Sequence, residues 1–309
     1  MLPRLMLSGL VGLLTACHVD FGDSDRFHED FNRSFPMTPG GRLVVEGFNG
    51  TIDISTWEKN EVEINGTKQA SSQELLKDIK VDFDVTSSSV KVRVDKPSFQ
   101  GNCGVRFTIR VPKKVELERI RSSNGSIQVA GIEGPAALIS SNGKIEVIKM
   151  TGKLNVETSN GSIELAGHRG PVHARTSNGK ISGDIEKGWL DAHTSNGSIE
   201  VRLKEIDMPE PVRLETSNGS IEVTLTAAHE LKARSSNSSI TVRLPESIDV
   251  TLKAYTSNSR VETDFADPRR ADSEDDDEKN HRRLDAKVGK GGPVIDLSTS
   301  NGKIRILKS

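Results

Sequence analysis

Apolar and polar residues alternate on both sides of a recurring Ser-Asn-Gly or Ser-Asn-Ser triplet through the C-terminal two thirds of the chain. Three positions after the asparagine stand Ile127, Ile145, Ile163, Ile181, Ile199, Ile221, Ile240, Val261 and Ile304. Five positions after it stand Val129, Val147, Leu165, Gly183, Val201, Val223, Val242, Thr263 and Ile306. Four before it stand Ile120, Leu138, Val156, Ala174, Ala192, Leu214, Ala233, Ala254 and Leu297, and two before it every residue is serine or threonine. The residues between these columns are mostly charged or polar. Period-two alternation puts each apolar set on one face, so every unit predicts two short strands, half-buried and joined at the asparagine. Gly134, Gly152, Gly170 and Gly188, ten residues after their asparagines, mark a second corner.

The asparagines are Asn124, Asn142, Asn160, Asn178, Asn196, Asn218, Asn237, Asn258 and Asn301, and the first five are spaced by 18 residues without deviation. Such a metre belongs to a structural unit that stacks on its neighbour. Asn-Gly between alternating segments is also a hairpin signal. An antiparallel meander of these strands would have to close a barrel wide enough to leave a channel, which columns of Ile, Val, Ala and Thr cannot fill. Left open, it would expose its apolar face. The expected fold class is therefore all-β, a β-solenoid (β-helix) of roughly 18–22-residue coils that each bury a thin core between their own two faces. Asparagine amides would then hydrogen-bond up the stack as a structural ladder. Glycine after asparagine would supply a positive φ at the corner. In chain order, Asn301 is the last rung.

The rest of the chain is arranged around this array. The segment 40–64, GGRLVVEGFNGTIDISTWEKNEVEI, already carries the pattern through Leu43, Val45, Asn49, Gly50, Ile52 and Ile54. SSQELLKDI follows, with Ser71 and Glu74 spaced as a capping box, and predicts one short helix. IKVDFDV, SSVKVRVD and GVRFTIRVP alternate as strands. The division is a signal peptide at 1–16, a tether at 17–35, a β-rich N-terminal part with the helix at 36–115, and the repeat array at 116–309 with a charged insertion at 267–293.

The N-terminus points to export. MLPRLMLSGLVGLLTAC has one positive charge, Arg4, and an apolar stretch from Leu5 to Leu14 that is too short to span a bilayer and fits the core of a signal peptide. Leu14-Thr15-Ala16-Cys17 is similar to the lipobox of bacterial lipoproteins, which implies lipid attachment at Cys17, and His18 after the cysteine points to the outer membrane. The mature chain would keep one other cysteine, Cys103, and so no internal disulfide. Aromatic residues make up 4%, charged residues 28%, and the net charge is −2. A balanced charge argues against nucleic acid as partner.

The order of the 40–64 segment, a short helix, RFTIRVPKKVELERIRSSNGSIQVAGI and then serial TSNGSIEV units resembles the bacterial putative-adhesin family of unknown function, built of β-strand repeats. The resemblance covers roughly residues 36–309 and departs from the family pattern at the insertion. It implies an exported cell-envelope protein of β-helical build, with no established catalytic residues.

Chemical candidates are few. His173 and His193 fall at outward positions one coil apart, near Asp191, Arg175 and Glu157, where a solvated charged face is the expectation. Glu146, Glu164, Glu200 and Glu222 form an outward acidic column that Lys144 and Lys180 would screen. No nucleophile elbow, phosphate loop, zinc spacing or calcium nonapeptide occurs. Trp57, Trp189 and Tyr255 do not cluster in sequence as a sugar platform. The expectation is no catalytic residue, no metal and no cofactor. The leading function class is a lipid-anchored adhesin-like or scaffold surface for an envelope protein or polysaccharide, in contact with the membrane through Cys17. The alternative is a polysaccharide-active enzyme on a β-helix, which clustered acids and aromatics on one face would favour.

Overall fold

The computed structural model describes residues 27–97, 101–207, 209–265 and 280–309. The expected signal peptide, Cys17 and residues 267–279 of the insertion lie outside them. Among the described residues the chain is nearly all β, with one α-helix, Gln73–Asp78, and a single turn of 3₁₀-helix at Asn280–Arg282.

Through the array, each strand pairs in parallel with the corresponding strand one unit away. Ala136–Ser140 lies beside Leu154–Glu157, with Leu138 facing Val156. Ile145–Ile148 lies between Ile127–Ala130 and the start of Ile163–Arg175, so that Ile145 faces both Ile127 and Ile163. The strands before the asparagines pair with one another and those after them pair with one another, within one large sheet whose apolar columns are buried. Ile127, Ile145, Ile163, Ile181 and Ile199 are wholly buried. Each such side chain contributes ~1.5–3 kcal/mol relative to exposure. At Ile163–Arg175 and Ile181–Thr194 a single strand runs through both sets and pairs along its length, carrying the sheet around the bend.

The pattern seen at 40–64 is the first unit of this stack. Gly41–Glu46 pairs in parallel with Val115–Ser122, Leu43 against Leu117, and Ile52–Trp57 pairs with Ile127–Ala130, Ile52 against Ile127. The intervening chain covers the outer side of that unit. Cys103–Pro112 pairs in parallel with Ile52–Trp57, and Ser89–Asp95 with Gly41–Glu46. Lys80–Thr86 and Glu61–Ala70 add antiparallel neighbours. The helix begins one residue later than the capping box predicts: Ser72, not Ser71, is the N-cap and accepts the Leu75 amide at 3.2 Å. This leaves Glu74 in the first turn, favourable to the helix dipole without closing the box.

The tether expected at 17–35 is corrected in its second half. Phe27–Pro36 is a strand, antiparallel to Glu61–Ala70. Its phenylalanines recur every fourth residue and so share a face. Phe31 packs edge-on against Phe83 and Phe107, and Phe35 lies tilted against Phe83 at 44°.

The C-terminal end is not in chain order. Val294–Thr299 lies between Leu231–Ser235 and Val250–Thr256, and Ile304–Lys308 lies between Ile240–Leu244 and Val261–Thr263. The last unit in sequence is therefore the penultimate one in space. Arg283–Val288, the described part of the insertion that is strand, runs antiparallel along the other side of Val250–Thr256. The insertion provides the chain length needed to pass the terminal unit and return beneath it.

Candidate functional site

The asparagine corner is the most regular surface of the molecule. Each asparagine amide donates to the side-chain oxygen of the next rung: Asn142 to Asn124 and Asn160 to Asn142 at 2.6 Å, and Asn196 to Asn178 at 2.7 Å. The series runs through Asn218 and Asn237 and continues at the near end to Asn49, which accepts from Asn124 at 2.6 Å. At the far end Asn301 donates to Asn237, and Asn258 donates to Asn301. Asn301 is thus an interior rung and Asn258 the terminal one, a correction that follows from the strand order. All nine expected ladder asparagines are exposed.

Beneath them lies a buried hydroxyl column. Thr176 Oγ1 donates to the Gly161 carbonyl at 3.1 Å and accepts from the Gly179 amide at 3.1 Å. Ser140, Thr158, Thr194 and Thr216 repeat both bonds. The invariance of Ser and Thr two positions before the asparagine was visible in the sequence, but its reason was not. The glycines after the asparagines also have a different reason from the one expected. Gly50 alone among them has positive φ; the rest of the positive-φ glycines include the second-corner Gly134, Gly152, Gly170 and Gly188. A Cβ on Gly161 would lie 1.9 Å from the Gly143 carbonyl oxygen, so it is the closeness of the stacked backbones that requires glycine there.

On the outward side of the strands that follow the asparagines, Glu146 faces Glu164, Ser182 separates Glu164 from Glu200, and Glu200 faces Glu222. Lys144 Nζ is 2.7 Å from Glu164, Lys180 pairs with Glu200, and Arg243 is 3.0 Å from Glu222. The hydrogen bond to Glu164 raises the Lys144 pKa above its ordinary value. The acidic column is charge-compensated, as the interleaved lysines predict.

The two histidines are brought together more closely than a solvated face requires. Parallel register sets His173 beside Asp191, and Arg175, His193 and Glu215 in one row. Asp191 is 7% exposed. Its two oxygens meet His173 Nδ1 at 3.3 Å and His193 Nε2 at 2.7 Å, while His193 Nδ1 lies 3.3 Å from Glu215. The Trp189 indole donates to the Pro211 carbonyl at 2.8 Å, and its ring packs edge-on to His173. The cluster holds a buried carboxylate between two imidazoles, and its His193 and Glu215 line a polar cleft that also presents Arg175 and Arg234. Glu215 escaped the sequence reading because it lies 22 residues from His193, past the point where the 18-residue step lengthens. Among the described residues no group of three or more His, Cys, Asp or Glu side chains is placed to hold a metal ion.

His168 was also missed. It lies inside the core beside Ile185, wholly buried, and among the described residues neither ring nitrogen has a hydrogen-bond partner. Burial holds its pKa down from 6.5 to about 4, against a weak opposing influence of the Gly152 backbone.

No protein-family model matches the chain, and no curated protein does. Among solved structures, a putative adhesin from Parabacteroides distasonis ATCC 8503 is similar at 11% identity over 91% of this chain and 97% of its own, with a TM-score of 0.49. A putative lipid binding protein from the same organism is similar at 11% identity over 90% of this chain and 96% of its own, with a TM-score of 0.42. A putative cell adhesion protein from Clostridium sporogenes ATCC 15579 is similar at 14% identity over 92% of this chain and 100% of its own, with a TM-score of 0.26. No helix among the described residues is long and apolar enough to cross a membrane.

Proposed function

We propose that the array is a β-solenoid that a lipid on Cys17 holds at the bacterial cell envelope, on the outer membrane, where it acts as an adhesin-like or scaffold surface without catalysis. The observation that carries this reading is the unit-on-unit parallel register, with Ile145 between Ile127 and Ile163 and an asparagine rung at every turn. A stack of this kind spends its side chains on one long, regular, charge-balanced exterior, which suits contact with an extended envelope protein or polysaccharide. The lipobox-like Leu14-Thr15-Ala16-Cys17 supports the anchor, because two or more acyl chains hold a protein at a membrane far more firmly than one.

The anchor is tested by Cys17→Ser, expected to abolish membrane fractionation and acyl labelling. A variant that still partitions with membranes and carries label rules the lipid out. The surface is tested by cross-linking and pull-down from intact envelopes with the anchored chain. Recovery of no partner above a control with scrambled outward charges would count against it. One observation favours the enzymatic alternative, the buried Asp191 between His173 and His193. Hydrolysis of envelope polysaccharide by the intact chain but not by Asp191→Asn would replace the binding reading with that one.

A further inference from the structure

Nine Asn-Gly pairs occur in this chain, beginning at Asn49, Asn65, Asn124, Asn142, Asn160, Asn178, Asn196, Asn218 and Asn301. In such a pair the glycine amide nitrogen can reach the asparagine side-chain carbon with little hindrance, since glycine has no Cβ. The structure treats the nine unequally. In the seven from Asn124 to Asn301 the glycine is buried, and its amide donates to the Ser or Thr hydroxyl three residues earlier at 2.9–3.2 Å. Gly66 is buried in the middle of Glu61–Ala70, between two antiparallel neighbours. Asn49-Gly50 is the exception. The residue two before this asparagine is Gly47, which has no hydroxyl; Gly50 is half-exposed, and its amide has no hydrogen-bond partner among the described residues.

We propose that Asn49-Gly50 is a self-modification site, and that the hydroxyl column keeps the other stacked pairs in the amide form. The Gly50 nitrogen, giving up its proton to solvent base, attacks the Asn49 side-chain carbon. A carbon–nitrogen bond forms, the bond to the amide nitrogen breaks, and ammonia leaves with a proton, closing a five-membered imide. Water then opens the ring at either carbonyl and leaves aspartate or isoaspartate. The net change is one water consumed and one ammonia released. In the stack, the hydroxyl holds the attacking nitrogen as a donor and away from that path.

The site matters because Asn49 joins the N-terminal part to the array. Its oxygen accepts from Asn124 at 2.6 Å and its amide donates to the Cys103 carbonyl at 2.9 Å. After modification an acceptor oxygen faces the Cys103 carbonyl in place of a donor, and a negative charge sits at the first rung. The modification therefore loosens the joint between the first unit and Cys103–Pro112.

The test is incubation of the full chain at mildly alkaline pH, followed by peptide mass mapping and isoaspartate detection. Asn49 is expected to be lost at least about fivefold faster than any stacked asparagine, the rate factor of one ordinary hydrogen bond. In denaturant the nine sites should react at comparable rates. Thr176→Val should speed loss at Asn178 by about the same factor and leave Asn142 unchanged. Gly47→Ser, where an added Cβ meets nothing nearer than 3.6 Å, should slow loss at Asn49. Equal loss at Asn49 and the stacked sites in the folded chain would overturn the proposal, as would a folded Thr176→Val with Asn178 unaffected. If Thr176→Val does not fold, an unchanged rate at Asn49 in Gly47→Ser overturns it instead.

Discussion

Replacing Thr176 by valine tests which of the two ladders holds the stack together. Valine keeps the shape of the side chain and its β-branching, so packing is preserved and only the hydroxyl is removed. Two short bonds disappear, to the Gly161 carbonyl and from the Gly179 amide, each 3.1 Å long, and with them a longer 3.4 Å donation to the Ser159 carbonyl. Both glycines are buried, so both groups lose their partner away from water. An unsatisfied buried backbone group costs about 1–3 kcal/mol, which gives about 2–4 kcal/mol for the pair after some relaxation. Asn178→Ala also breaks two short hydrogen bonds, to Asn160 and from Asn196, but on an exposed corner. There the neighbouring amides pair with water, and the loss should be about 0.5–1 kcal/mol. Thr176→Ser restores the hydroxyl and should recover most of the loss, since Ser122 and Ser140 make the same bonds elsewhere.

The measurement is equilibrium unfolding in urea by circular dichroism, paired with hydrogen exchange at the affected coil, because stacked units need not unfold as one. The expected order of destabilisation is Thr176→Val first, Asn178→Ala well behind, and Thr176→Ser last. The asparagines should also follow the spatial order, with Asn301→Ala matching Asn160→Ala and Asn258→Ala the mildest. If Asn178→Ala proves as costly as Thr176→Val, the exposed amides and not the buried hydroxyls hold the corner, and the reasoning fails.

Two further perturbations address the faces and the core. Ile163→Asp places an unpaired charge in a wholly buried column and should cost several kcal/mol, whereas Glu164→Lys, at an outward residue paired with Lys144, should change stability by about 1 kcal/mol or less; equal shifts in thermal midpoint would contradict the assigned faces. His168 should make stability depend on acidity: the folded chain resists its protonation down to about pH 4, while the unfolded chain takes up the proton near 6.5. The contribution is complete above pH 6.5, is lost as pH falls towards 4, and levels off below that, for a total of about 3 kcal/mol. His168→Met, which copies the buried Met150 one unit away, should lose less stability between pH 7 and pH 4 than the parent in urea unfolding, and identical losses would refute the assignment.

What could be read from the chain alone is what depends on the period. Residues such as Ile163 and Glu164 sit where alternation puts them because a one-residue slip would expose a whole apolar column. The first unit at 41–57 was legible for the same reason. The hydroxyls at Thr158 and Thr176 were visible as a column, but their role needs the distance between backbones one unit apart, which no single unit contains. The same distance explains why Gly143 and Gly161 are glycine without a positive φ. The cluster at Asp191 was only partly legible. His173 and Asp191 lie one 18-residue step apart, whereas Glu215 lies beyond the place where the step changes. His168 was hidden because it lies eight positions after its asparagine, out of phase with the alternating columns, in a buried place that Ile132 and Met150 fill in the two preceding units.

The exchange of the last two units shows where periodicity stops being informative. Every unit offers the same apolar faces and the same rung, so Leu231–Ser235 would accept either Val250–Thr256 or Val294–Thr299 as its neighbour with nearly the same contacts. The choice has to come from features outside the period. Arg283–Val288 is such a feature: its alternating Leu284 and Ala286 are buried, and it pairs antiparallel with Val250–Thr256. An antiparallel partner cannot continue a parallel stack by repetition, so the unit that carries it belongs at the end. Val294–Thr299 has no such partner and is flanked on both sides by parallel strands. The charged insertion, which interrupts the repeat in sequence, thus supplies the strand that terminates it in space, and Asn258 rather than Asn301 becomes the final rung because of it.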